Sequence, residues 1–152
     1  MTDKQELTIP GQYSQIRQLC EFVAAGASQA GLDEGAVFHV ELCCDEAATN
    51  IIEHAYGAED VGDITVDYEA TVDTFTIRLH DNGRSFEPAF VPEPDLPVDD
   101  STADDDAIQN LKIGGLGIHF MRNLMDEVYF NFDMDKGNTL VLIKKIPQGK
   151  PQ

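Results

Sequence analysis

Glu41-Leu42-Cys43-Cys44-Asp45-Glu46-Ala47-Ala48-Thr49-Asn50-Ile51-Ile52-Glu53-His54-Ala55-Tyr56-Gly57 sets two opposed faces on one helical period. Glu41, Asp45, Glu46, Thr49, Asn50, Glu53 and His54 recur at i, i+4 spacing and share one side. Val40, Cys43, Cys44, Ala47, Ala48, Ile51 and Ala55 cover the other, which predicts a helix laid on a core. Acids sharing one side repel each other unless that side is solvated or something positive sits on it. Solvation is the simplest account of the stretch taken alone. The rest of the chain supplies the alternative.

Working outward, Asp33 can cap this helix and Gly57 can end it. Before it, Ile16, Leu19, Cys20, Val23 and Ala27 keep a 3, 4 rhythm, predicting a helix from about Ser14, a candidate N-cap, to Ala30. Leu7-Thr8-Ile9, closed by Pro10-Gly11, reads as an edge strand and turn. After it, Ile64, Val66 and Tyr68 alternate with polar residues, as do Phe75, Ile77 and Leu79, with Thr71-Val72-Asp73 between. That is an antiparallel hairpin. Gly114-Gly115-Leu116-Gly117 opens a third helix with Ile118, Met121, Leu124 and Met125 on one face. Val128, Phe130 and Phe132 make a strand, Asp135-Lys136-Gly137-Asn138 a tight turn, and Thr139 to Ile146 a last strand, apolar enough to be interior. The sum is one α+β domain over residues 1–152, a two-layer sandwich of three helices on one face of a mixed, mostly antiparallel sheet.

Acidic residues number 28 against 10 Lys plus Arg, a net charge of −18. Such a chain lacks the cations that displace counterions from nucleic-acid phosphates, so direct DNA or RNA binding is not expected, nor is an anionic membrane surface. The N-terminus is polar and no run approaches a membrane span, which points to the cytoplasm. Cys20, Cys43 and Cys44 lie in apolar helical patterns without framework or metal-ligand spacing, as buried reduced thiols do. From about Glu87 to Asn110 no period is sustained. Pro88, Pro92, Pro94 and Pro97 punctuate one half and Asp99, Asp100, Asp104, Asp105 and Asp106 load the other. A loop this long inside one domain is functional more often than merely connecting.

Three chemically loaded places follow in order: the Glu46/Asn50 helix face, Asp81-x-Gly83 at a strand end, and Gly114-x-x-Gly117 at a helix start. Each alone is a common turn or helix feature. Together they can build a nucleotide site. Backbone N–H groups at the glycine-rich helix start face an anion, with the helix dipole adding positive potential. Asn50 offers a neutral oxygen suited to Mg²⁺. Asp81 offers an acceptor for an exocyclic amine, such as that of adenine, and Gly83 leaves the base room. Glu46, one turn before Asn50, is placed to take a proton from a hydroxyl attacking a terminal phosphate.

These motifs resemble the GHKL (Bergerat-fold) ATPases, and among them the bacterial anti-sigma factor serine/threonine kinases of partner-switching systems. Glu46-Ala47-Ala48-Thr49-Asn50-Ile51-Ile52-Glu53-His54-Ala55-Tyr56 is similar to their N box. His80-Asp81-Asn82-Gly83-Arg84-Ser85-Phe86-Glu87-Pro88 is similar to the next box, Gly114-Gly115-Leu116-Gly117-Ile118 through Val128 to the third, and Gly137-Asn138-Thr139-Leu140 to the closing strand. The resemblance implies the histidine kinase-like ATPase fold, ATP and Mg²⁺ as cofactors, and Asn50 as the Mg²⁺ ligand. Asp81 would read adenine with help from Thr139, while Gly83, Gly115, Leu116 and Gly117 would line the ATP site. Glu46 would be the catalytic base for phosphorylating a serine or threonine on a STAS-type anti-sigma antagonist. It further implies an ATP lid at about 87–113, homodimers, and binding of a sigma factor or other regulator.

The lid region departs from the pattern in being acidic and proline-rich. After Arg84 its one cation is Lys112, the expected phosphate contact, while Arg122, His39, His54 and His119 are read as structural or solvated. The departure favours a second reading, a nucleotide-dependent regulatory binding module with weak or no kinase activity. With a working lid, proteolysis between Glu87 and Ile113 should slow when Mg-ATP is added, and equal cleavage rates would argue against closure over nucleotide.

Overall fold

Alternating residues become strands in the computed structural model of the chain, which describes residues 4–84, 116–133 and 135–148. The strands are β1 (Gln5–Pro10), β2 (Asp63–Ala70), β3 (Thr74–Asp81), β4 (Glu127–Asp133) and β5 (Gly137–Lys145). Their spatial order is β1-β2-β3-β5-β4. Every pairing among the described residues is antiparallel, so the sheet is not mixed there. β1 lies at an edge, and the apolar β5 lies inside, between β3 and β4. Among the described residues there are three α-helices: α1 (Tyr13–Ala30), α2 (Glu34–Asn50) and α3 (Leu116–Leu124). α1 packs on α2 and on β1 and β2, while α2 meets α3 and β5. No described helix is long and apolar enough to cross a membrane.

The helix ends follow local chemistry. Asp33 caps α2 by accepting from Ala36 N at 2.8 Å. Ser14 does not cap α1. The helix starts one residue earlier, after Gln12, and the Tyr13 N–H donates to Glu59 Oε1 at 2.8 Å. A carboxylate from a distant loop thus satisfies a donor that a local cap would have taken. Gly31, at φ 105°, ends α1. α2 runs straight into a π-helical turn, Ile51–Tyr56, that ends on Gly57 at φ 81°.

The core is the space between the α layer and one sheet face. On β3 the inward residues are Phe75, Ile77, Leu79 and Asp81, and on β5 Asn138, Leu140 and Leu142, all buried. Ile77 faces Leu142 and Leu79 faces Leu140 across the pair. The next rung is Asp81 against Asn138. An apolar ladder therefore closes on a buried polar rung. Cys20, Cys43 and Cys44 are free and buried, and burial pushes the Cys20 and Cys43 thiols up to about 12, so they stay protonated.

Helix and sheet meet most closely at Gly26. A Cβ there would stand 2.2 Å from Tyr68 Cζ. The Tyr68 ring is held between Phe22 and Phe75, with centroids 5.1 and 5.3 Å away, and has little room to yield. Gly26→Ala should cost about 1–3 kcal/mol of overpacking strain in urea unfolding. Pairing it with Tyr68→Leu should recover part of that loss, and no recovery would place the strain elsewhere.

Candidate functional site

The polar rung is the centre of the site. Asp81 is 2% exposed and Asn138 3%. Asn138 Nδ2 donates to Asp81 Oδ1 at 2.9 Å and lies 3.2 Å from Gly83 O and 3.1 Å from Arg84 O. Gly83 N donates to the same Asp81 oxygen at 2.9 Å. Both hydrogen bonds to the carboxylate thus fall on Oδ1. Burial raises the Asp81 carboxyl above the usual aspartate range, and the bonds from Asn138 and Gly83 and the nearby His80 oppose that rise.

The turn after β3 is tied to the end of the α2 extension. Arg84 N donates to Ala55 O, and Arg84 Nε to His54 O, both at 2.9 Å. These bonds take carbonyls that a helix end leaves over. A Cβ on Gly83 would lie 2.5 Å from Ala55 O. Gly83 is therefore needed by packing inside the protein, a reason separate from the expected clearance for a base. Gly137 sits at φ 91°, where a Cβ would meet Asp81 O at 2.4 Å. The Tyr56 hydroxyl accepts from Asn82 N at 3.1 Å and donates to Asp63 O, fastening the same turn from beneath.

α2 supplies the opposite wall. Asn50 is 4% exposed, and its side-chain amide makes no hydrogen bond among the described residues. It lines a cavity with Ala47, Asp81, Met121, Phe130 and Asn138. The free space is about 20 Å³, room for a single water. Among the described residues no cluster of three His, Cys, Asp or Glu could hold a metal. One orphaned amide oxygen fits a Mg²⁺ ion whose other ligands are water and a substrate's own oxygens. Glu46 is half-buried and is not among the residues lining the cavity. Burial raises its carboxyl above the usual glutamate range, as do Asp45 and Glu53, against His54.

The structure brings Asn50, Asp81 and Gly83 together, and Thr139 lies beside them. Thr139 lines the cavity, yet its hydroxyl pairs with His80 Nδ1 at 3.1 Å. Thr139 is opposite His80 in the β3–β5 register, on the sheet face away from Asp81. The side chain that meets Asp81 is Asn138, which in the sequence reads only as part of a turn. Strand parity holds the signal: if Leu140 and Leu142 point inward, Asn138 does too. Met121, Phe130 and Phe132 read as core from their periods alone, and the structure makes them cavity walls as well. Leu116 and Gly117 open α3, though their side chains are outside the described residues, as are Lys112, Gly115 and the whole expected lid, 87–113.

Asp81, buried at a strand end, binds the N–H of Gly83 two residues on and shares a cavity with Asn50 of the facing helix. The sequence profile of the histidine kinase-like ATPase domain family matches residues 9–144, and the chain belongs to it. At the level of individual proteins it is similar to the serine-protein kinase RsbW of Listeria monocytogenes, 33% identical over 148 residues covering 96% of this chain and 89% of that protein. The Listeria innocua serine-protein kinase RsbW is 32% identical over the same coverage. That of Bacillus cereus is 29% identical over 144 residues, 95% of this chain and 86% of the relative.

Because the close approach at Gly83 is internal, Gly83→Ala should destabilise the nucleotide-free protein by about 1–3 kcal/mol. An unchanged thermal midpoint without nucleotide would return Gly83 to base clearance alone.

Proposed function

We propose that the chain is an ATP-dependent protein serine/threonine kinase of an anti-sigma partner-switching system. Its acceptor is a serine or threonine on a STAS-type antagonist, and its other partner is a sigma factor or a comparable regulator, held by a homodimer. The observation that carries the reading is the buried Asp81 carboxylate facing the orphaned Asn50 amide across one cavity. Similarity to proteins named serine-protein kinases supports it over most of the chain.

The residues divide the work by chemistry. Asp81 Oδ2 accepts the adenine amine while Oδ1 stays with its internal donors. Met121, Phe130 and Phe132 offer an apolar bed for the ring. Asn50 would hold Mg²⁺ through its carbonyl oxygen, and the ion would supply neutralisation of phosphate charge. Gly115, Leu116 and Gly117 would let backbone N–H groups approach the phosphates, with Lys112 supplying a cation. Asn138 holds the Asp81 carboxylate beside the base, and Thr139 lines the same cavity. Glu46 accepts the proton of the attacking hydroxyl, and its raised pKa makes it a stronger base than an ordinary glutamate.

The position of Glu46 outside the cavity lining favours a second reading, a regulatory module that binds nucleotide without efficient transfer. One experiment separates the two. With the cognate antagonist as acceptor, Glu46→Gln should keep Mg-ATP affinity and lose labelled-phosphate transfer by about 100-fold or more. Glu46 acts ionised, so wild-type kcat should fall as pH drops through its pKa, at a pH above the ordinary value of about 4.3. The variant should lack that limb. Transfer at the wild-type rate would remove Glu46 as the base, and wild-type binding without any transfer would leave the binding module.

A further inference from the structure

We infer that Asn138 is a positioning residue that sets base specificity: by holding Asp81 Oδ1 it leaves one carboxylate oxygen for the base and so selects adenine over guanine. The inference rests on the nucleotide site proposed above.

An ionised carboxylate is an acceptor with two oxygens and no donor. Guanine presents two adjacent donors on its pairing edge, the ring N1–H and the 2-amino group. A carboxylate with both oxygens free takes such a pair in parallel, as it takes the two N–H groups of an arginine fork. Adenine presents one amine beside a ring-nitrogen acceptor. It needs one carboxylate oxygen and is repelled by a second on its ring nitrogen. An aspartate alone at this position would therefore suit guanine at least as well as adenine.

Here Asp81 is not alone. Oδ1 already accepts from Asn138 Nδ2 and from Gly83 N, each at 2.9 Å, and Oδ2 accepts nothing among the described residues. Asn138 also reaches Gly83 O and Arg84 O, so one amide ties the carboxylate to the turn that follows β3 and fixes its rotation. Asp81 and Asn138 are almost wholly buried, and water cannot easily replace the lost donor. Thr139 cannot take over, because its side chain is on the other face of the sheet.

A second effect has the same sign. Burial pushes the Asp81 carboxyl toward its protonated form, and the Asn138 bond opposes that. Without Asn138 the carboxyl protonates more readily and becomes a donor, able to meet the guanine O6 acceptor. Freed rotation and easier protonation both erode the preference for adenine.

Magnesium-containing titrations of the full chain with ADP and with GDP test this. Wild type should prefer ADP. Asn138→Leu, close in volume but without a donor, should reduce the ADP-to-GDP affinity ratio by about tenfold or more, the size of one charge-assisted hydrogen bond. Asn138→Thr, which keeps a donor on the same strand face, should restore much of the ratio. A Leu variant that loses ADP and GDP affinity equally has lost only structure, and that result overturns the inference. So does wild-type indifference between the two bases. If the Leu variant does not fold, Asn138→Ala, which also lacks a donor, takes its place: a reduced ratio supports the inference and an unchanged ratio overturns it. Asp81→Asn tells this failure from that of the site itself. If it abolishes ADP binding while Asn138→Leu keeps the ratio, only the role of Asn138 falls. A wild type that binds neither nucleotide removes both readings.

Discussion

A single carboxylate oxygen, Asp81 Oδ1, joins three parts of this domain. It receives Asn138 from β5 and the Gly83 N–H from the turn that follows β3. The same turn then binds the Ala55 and His54 carbonyls beyond α2. Burying a carboxylate is unfavourable unless it is hydrogen-bonded, and here the bonds come from the backbone and side chains that must meet for the layers to close. A buried charge and the closing of the layers therefore depend on one group. That is why a polar rung is tolerated at the end of a ladder otherwise built of Phe75, Ile77, Leu79, Leu140 and Leu142.

The π-helical turn, Ile51–Tyr56, carries the His54 and Ala55 carbonyls that meet the chain after β3. Tyr56 then braces the turn with its hydroxyl, between Asn82 N and Asp63 O. Close backbone approach follows, and side chains are excluded where it is tightest, at Gly83 against Ala55 and at Gly137 against Asp81.

Much of this was legible in the residues. The 3, 4 rhythm of α1, the Asp33 cap, the Gly57 stop and the β2–β3 hairpin follow from local patterns, and local patterns suffice because each is decided within a few residues. The start of α1 was missed by one residue because its cap, Glu59, comes from 46 positions away. The π-helical turn left no sign in the apolar period, since Ile51, Ile52 and Ala55 suit either helix type. That Asn50 and Asp81 meet at one cavity follows the order of the motifs. The partnership of Asn138 with Asp81 needed the register of two strands, which depends on the whole sheet.

The acidic stripe on α2 resolves into separate environments. Asp45 and Glu53 are exposed, where solvent screens them, and they account for the bland part of the pattern. Glu46 is half-buried and feels both, so its proton affinity rises. Asn50, the one neutral amide of the stripe, is the member driven into the interior, since a carboxylate there would add a second buried charge opposite Asp81. In a chain carrying −18, a neutral side chain at position 50 keeps a further acid out of the cavity that Asp81 lines.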